Sequence, residues 1–196
     1  MAAPKGAAVN EPTLPLARAF DFAARKHAYQ RRLGGRAEPY INHLAEVASL
    51  LAEATDGQDF SLVVAGLLHD TIEDTDTSDA ELSQRFGAPI AALVAEVTDD
   101  KNMEKEQRKR LQIENASRKS RRAKMIKLAD LTSNLRSLVH DPPEEWSAER
   151  RAAYVQWAGQ VADGLRAANA RLEEWFDKAH AAANEATANE GATIGS

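Results

Sequence analysis

The sequence predicts an all-α fold, a single domain of about seven or eight helices, and three observations carry that reading. Apolar side chains recur at intervals of three and four along most of the chain. No window sustains the period-2 alternation of a half-buried strand. Gly and Pro punctuate the gaps between periodic segments. There is no internal repeat.

Each element follows from its own residues. Residues 16–30 put Leu16, Phe20, Ala23, Ala24 and His27 on one helical face. Gly34, Gly35 and Pro39 then mark a loop. Residues 41–54 repeat the spacing with Leu44, Val47, Leu50 and Leu51. Residues 60–72 are apolar nearly all round, as expected of a central buried helix. Residues 78–86 form a short helix that Gly87 stops. Pro89 suits the first turn of the next, which runs to about Val97. Segments 108–116, 122–139 and 147–180 complete the set. Around the last of these, Trp146, Tyr154, Trp157, Val161, Leu165, Leu172 and Trp175 or Phe176 recur at helical intervals. Residues 1–13 and 181–196 carry no apolar stripe and read as disordered tails around a domain of residues 14–180.

A chain of 196 residues can bury a real core, and 43% hydrophobic with 28% charged residues is ordinary for a globular protein. The absence of Cys excludes disulfides, thiolate metal sites and Cys nucleophiles. Apolar runs are too short to span a bilayer. MAAPKGAAVNEPTLP has no apolar signal-peptide core, so a cytoplasmic location is expected, with neither membrane nor nucleic acid as partner. The net charge of −5 hides two blocks. Residues 56–100 hold eleven acids and one base, Arg85; residues 101–127 hold eleven bases and three acids. A metal site beside a polyanion site would use such a division, although solvated helix faces produce it too.

The stretch LLHDTIEDTDT, residues 67–77, ends an apolar run in a cluster of acids. Buried carboxylates need compensation, and a cation supplies it. At about 100° per residue, His69, Glu73, Asp70 and Asp74 project from one side of a helix. Further ligands are available in PYINH, with His43, and in KLADLTSNLR, where Asp130 interrupts an apolar segment and Asn134 follows one turn later. Two His and two Asp make a mixed N/O set suited to Mn²⁺, Fe²⁺ or Zn²⁺. Singly these residues are unremarkable: His43 fits a core histidine, and Asp130 fits a partner of Arg136. The ordered set is what points to metal. Competing motifs fail. The acidic run from Asp74 lacks the Gly and Glu of an EF-hand loop, GGRAEP lacks the Lys of a phosphate loop, and no H-E-x-x-H or G-x-S-x-G is present.

On DFAARKHAYQRR, PYINH, LLHDTIEDTDT, FGAPIAALVAEVTDDK, RKRLQ, AKMIKLAD, NLR and EEWSAERRAAYVQWAGQVADGL, the chain resembles the HD-domain phosphohydrolases. More narrowly it is similar to the stand-alone (p)ppGpp hydrolases of the RelA/SpoT family, the small alarmone hydrolases, in their metazoan form. The resemblance runs from about Leu16 to Trp175. It implies an all-helical fold and one Mn²⁺ on His43, His69, Asp70 and Asp130. It implies Glu73 and Asp74 as the acids that activate and steer water, and Arg32, Lys105, Asn134, Arg150 and Tyr154 as substrate contacts. Tyr154 fits the core of the last helix equally well from spacing alone. The implied reaction removes the 3′-pyrophosphate of ppGpp or pppGpp, giving GDP or GTP and pyrophosphate, with no synthetase activity in so short a chain. The alternatives are a broader nucleotide or NADPH phosphatase on the same site, and a non-catalytic nucleotide-binding module. Two positions depart from the pattern: Leu33 after Arg32 and Leu131 after Asp130 stand where relatives carry a base.

Overall fold

A computed structural model describes residues 13–194, with side chains to residue 189. The all-α expectation holds: among the described residues there are ten helical segments and no strand, only one isolated bridge between Arg31 and Pro39.

The core is built around α3 (Phe60–Leu68) and α8 (Arg121–His140). Helix α3 buries every residue from Leu62 to Leu68, so it is enclosed on all sides, as its uniform apolarity predicts. Asp59 caps it by accepting from Leu62 N at 3.1 Å. Helices α1 (Thr13–Lys26), α2 (Ile41–Ala54) and α6 (Ala88–Val97) pack around α3. Helix α8 is buried almost continuously from Ala123 to Leu135 and packs against α2 and α10 (Ala170–Ile194). Gly87, at φ +92°, separates α5 (Asp79–Phe86) from α6, and Pro89 occupies the first turn of α6. Helices α7 (Lys105–Ala116) and α9 (Ala148–Asp163) complete the bundle.

Beyond shifts of up to three residues at helix starts, the structure differs from the sequence reading in four places. Helix α1 ends at Lys26, and residues 27–40 form a turn and hairpin-like loop closed by Arg32 N to Glu38 O and Tyr40 N to Gln30 O. The helix expected over 60–72 breaks after Leu68 and restarts as α4 (Thr71–Asp74). There His69 Nδ1 donates to Gly66 O, and Thr71 Oγ1 donates to Leu68 O. Side chains thus take up carbonyls at the helix end.

The helix expected over 147–180 is two helices. Gly164 lets the chain press against α7: a Cβ there would lie 2.6 Å from the Ala116 Cβ. Ala167 turns the backbone at φ +63°, and Asn169 caps α10 by accepting from Arg171 N and Leu172 N. Finally, the C-terminal tail expected over 181–196 is helical through Ile194. Ala179, Ala183 and Thr187 bury a stripe of small residues that carries no large apolar signal. The N-terminal tail expected over 1–13 lies outside the described residues, apart from Thr13, which opens α1.

Candidate metal centre and cleft

Three helices deliver the four expected ligands to one place. His43 comes from the first turn of α2, His69 and Asp70 from the break between α3 and α4, and Asp130 from the middle of α8. His43 Nε2 lies 3.3 Å from Asp130 Oδ1 and 3.7 Å from Asp70 Oδ2. His69 Nε2 lies 3.1 Å from Asp70 Oδ2 and 3.9 Å from Asp130 Oδ1. His43, His69 and Asp130 each offer a ligand atom within 4.8 Å of the others, a cluster that could hold a divalent ion.

The hydrogen bonds behind the imidazoles set their tautomers. His69 Nδ1 faces the carbonyl of Gly66 at 2.7 Å and so must donate. Ser133 Oγ donates to Glu46 Oε2 at 2.7 Å, which leaves it to accept from His43 Nδ1 at 2.9 Å. Both rings therefore keep a proton on Nδ1 and present Nε2 to the carboxylates, where a metal ion could take the place of a second proton. His69 Nε2 is fully buried and has no hydrogen-bond partner, which fits a cation site.

Electrostatics agree. Burial alone would raise the Asp130 carboxyl, but the neighbouring Lys127 ammonium and both imidazoles hold it well below the usual range. Burial would likewise raise Asp70, and His69 outweighs it. Burial opposes charging His69, yet Asp70 and Asp130 push it up to about 10. The carboxylates that favour a proton on His69 would equally favour a divalent ion in its place. Burial pushes His43 down.

The acidic pair lies one turn on. Burial raises Glu73 to about 7, with Asp99 and Asp70 adding to the shift, while Asp99 N donates to Glu73 Oε2 at 3.1 Å and opposes it. Asp74 accepts from Gln30 Nε2 at 2.8 Å and from Lys101 Nζ.

A cleft of about 360 Å³ opens beside this cluster. Arg32, Asn134, Tyr154 and Asp74 line it, with Gln30, Tyr40, Leu33 and Trp146. Arg32 Nη1 donates to Asn134 Oδ1 at 3.1 Å, and Asn134 Nδ2 donates to Asp130 Oδ1 at 2.7 Å. Cleft and cluster are thereby linked. Tyr154 packs between Trp146 and Trp157, at ring distances of 5.6 and 5.3 Å. Arg150 stacks on Trp146 at 4.4 Å, at the edge of the cleft rather than in its lining. Lys105 opens α7 as an exposed residue and is not in the lining. Leu33, 71% exposed, stands in the cleft wall, whereas Leu131 is buried in the core.

Sequence reasoning missed six supporting residues. Tyr40 donates to Asp70 Oδ2 at 2.7 Å, and Lys127, buried, reaches Asp130 Oδ2 at 3.3 Å. His27, Gln30, Glu46 and Ser133 are the others. Only Lys127 left a local signal, a charge three residues before Asp130 in an apolar helix.

This helical frame, with two histidines and two aspartates at its centre, is that of an HD domain. The HD domain family model matches residues 19–159, and the chain belongs to that family. Among relatives, guanosine-3′,5′-bis(diphosphate) 3′-pyrophosphohydrolase MESH1 of Homo sapiens is 50% identical over 159 residues, which cover 81% of this chain and 89% of that protein. Its Drosophila melanogaster counterpart is 46% identical over 167 residues, covering 85% and 93%. A solved structure of a metazoan ortholog of SpoT that hydrolyses ppGpp and plays a role in starvation responses superposes with a TM-score of 0.81 at 42% identity, covering 91% of this chain and 96% of that one. No helix among the described residues is long and apolar enough to cross a membrane.

Proposed function

We propose that the protein is a metal-dependent ppGpp 3′-pyrophosphohydrolase. The carrying observation is the buried, unpartnered Nε2 of His69 inside a cluster of two imidazoles and two carboxylates, joined through Asn134 and Arg32 to a nucleotide-sized cleft. Relatives at 46–50% identity that bear this activity in their names support the reading.

His43, His69, Asp70 and Asp130 would hold one divalent ion, Mn²⁺ in our reading, with Fe²⁺ or Zn²⁺ also compatible with a mixed N/O set. When bound, such an ion lowers the pKa of water and neutralises phosphate charge. In the reaction, water attacks the phosphorus nearest the ribose. The bond from that phosphorus to the 3′ oxygen breaks, and GDP and pyrophosphate leave. Glu73, lifted to about 7 by burial, is matched to take a proton from water near neutral pH. Asp74 orients the water or protonates the departing 3′ oxygen. Arg32 and Asn134 contact the transferred phosphates, and Lys105 and Arg150 attract the remaining ones. Tyr154 presents an aromatic face to the base or ribose. We place the reaction in the cytoplasm.

Leu33 favours one second reading. An apolar side chain in a wall that faces phosphate relaxes anion recognition, which suits a broader phosphatase that also removes a phosphate from NADPH.

The test is pyrophosphate release from ppGpp by purified protein with Mn²⁺, beside Asp70→Ala and with NADPH in parallel. Release that Asp70→Ala abolishes supports the proposal. Orthophosphate from NADPH alone supports the second reading. Silence with both substrates, with metal bound, indicates a binding module.

A further inference from the structure

Behind the acidic pair lies a chain of polar contacts that no step above employs. His27 is buried, with Nδ1 2.6 Å from Gln30 Oε1, and Gln30 Nε2 donates to Asp74 Oδ2 at 2.8 Å. The directions are forced. Asp74 offers an acceptor, so Gln30 must present its NH₂ there and its oxygen to His27. His27 must then carry its proton on Nδ1. Its Nε2 is buried and has no partner, so the ring makes no other polar contact that would hold it.

Two further contacts fix the arrangement. The His27 ring stacks on Tyr40 at 5.1 Å and 23°, and Tyr40 OH donates to Asp70. Tyr40 N donates to Gln30 O, which fastens the main chain beside the amide. The loop after α1 thus grips two carboxylates at once, Asp70 through Tyr40 and Asp74 through Gln30. A chain of buried hydrogen bonds of this kind restricts the rotamers of the side chains it joins. A carboxylate that must meet a water or a leaving oxygen gains most from such locking.

We infer that His27 and Gln30 are positioning residues for Asp74, setting its carboxylate for the hydrolytic step without themselves joining the chemistry. This rests on the proposed role of Asp74, and the test separates the two.

His27→Phe keeps the stack on Tyr40 and removes the donor. Gln30→Met keeps length and removes both polar atoms. With ppGpp and Mn²⁺, each should lower kcat about tenfold while KM for His27→Phe stays within about twofold. His27→Asn, whose amide nitrogen can replace Nδ1, should restore part of the loss. In a double-mutant cycle, His27→Phe should cost nothing more once Gln30 is Met or Asp74 is Ala. Metal-free melting and Mn²⁺ affinity should match the parent for Gln30→Met. The ¹⁵N shifts of His27 in the metal-free protein should report the Nδ1–H tautomer. Full kcat in folded His27→Phe and Gln30→Met, beside an inactive Asp74→Ala, overturns the inference and leaves the proposed acid pair standing. Additive losses, a matching loss of Mn²⁺ affinity, or an Nε2–H tautomer also overturn it. Full activity of Asp74→Ala overturns the acid pair, and the positioning role with it.

Discussion

His43 and Ser133 are bound across 90 positions of sequence: the Ser133 hydroxyl accepts from His43 Nδ1 at 2.9 Å while donating to Glu46. Glu46 is held in turn by Arg136 at 2.9 Å. A partner behind a metal-binding imidazole fixes its tautomer and orientation. Ser133→Ala should therefore weaken Mn²⁺ binding by about tenfold or more, measured by calorimetric titration. An unchanged affinity would show that packing alone orients His43.

Glu73 gives a pH signature in the metal-free protein. Its pKa rises from 4.5 unfolded to about 7 folded, chiefly by burial. The folded state therefore binds this proton more tightly. The contribution is fully present below about pH 4.5 and is lost as pH rises through about 7. Glu73→Gln should thus be more stable than the parent at pH 8, by about 2 kcal/mol after discounting for partial exposure, with the gap closing toward pH 5. Denaturant melts at the two pH values check this. The same variant should lose hydrolysis by about a hundredfold or more.

Lys127 is the buried counter-charge of Asp130, 3.3 Å away, with Asp99, Asp70 and Glu73 also acting on it. Removing one member of a buried pair leaves the other uncompensated. Lys127→Met should cost the metal-free protein about 3 kcal/mol. Added Mn²⁺ should raise the melting temperature of the variant more than that of the parent, because the ion restores positive charge beside Asp130. A thermal shift series with and without metal decides it, and equal shifts would refute the argument.

Leu33 stands exposed in the cleft wall. Leu33→Lys should lower KM for ppGpp by about three- to tenfold and leave kcat nearly unchanged, with the gain fading as salt rises. A kcat effect without a KM effect would place residue 33 outside the phosphate path.

Much of the fold was legible because its helices announce themselves locally. Helix α2 begins and ends where its stripe does, and Gly87 with Pro89 marks the junction of α5 and α6. The breaks that were missed are tertiary events. Gly164 ends α9 where α7 leaves no room for a Cβ, and His69 ends α3 by spending its ring on a carbonyl. The C-terminal extension of α10 was missed because its buried stripe is alanine and threonine, which resembles the composition of a tail. The site divides in the same way. His43, His69, Asp70 and Asp130 stand out by residue type and context. Gln30, Tyr40 and Ser133 gain meaning only from partners 44, 30 and 90 positions away, a distance over which no periodicity reports.

The placement of Lys127 and Asp130 on one helix bears on how a nascent chain can mature. Glu73, Asp70 and Asp99 all emerge before α8, and until it docks they have neither the ammonium nor the last carboxylate beside them. One segment then brings in Asp130, its counter-charge, the hydroxyl for His43 and the amide for Arg32 together. Three of the proposed ligands, His43, His69 and Asp70, therefore leave the ribosome first, and the arrival of α8 adds the fourth together with its counter-charge.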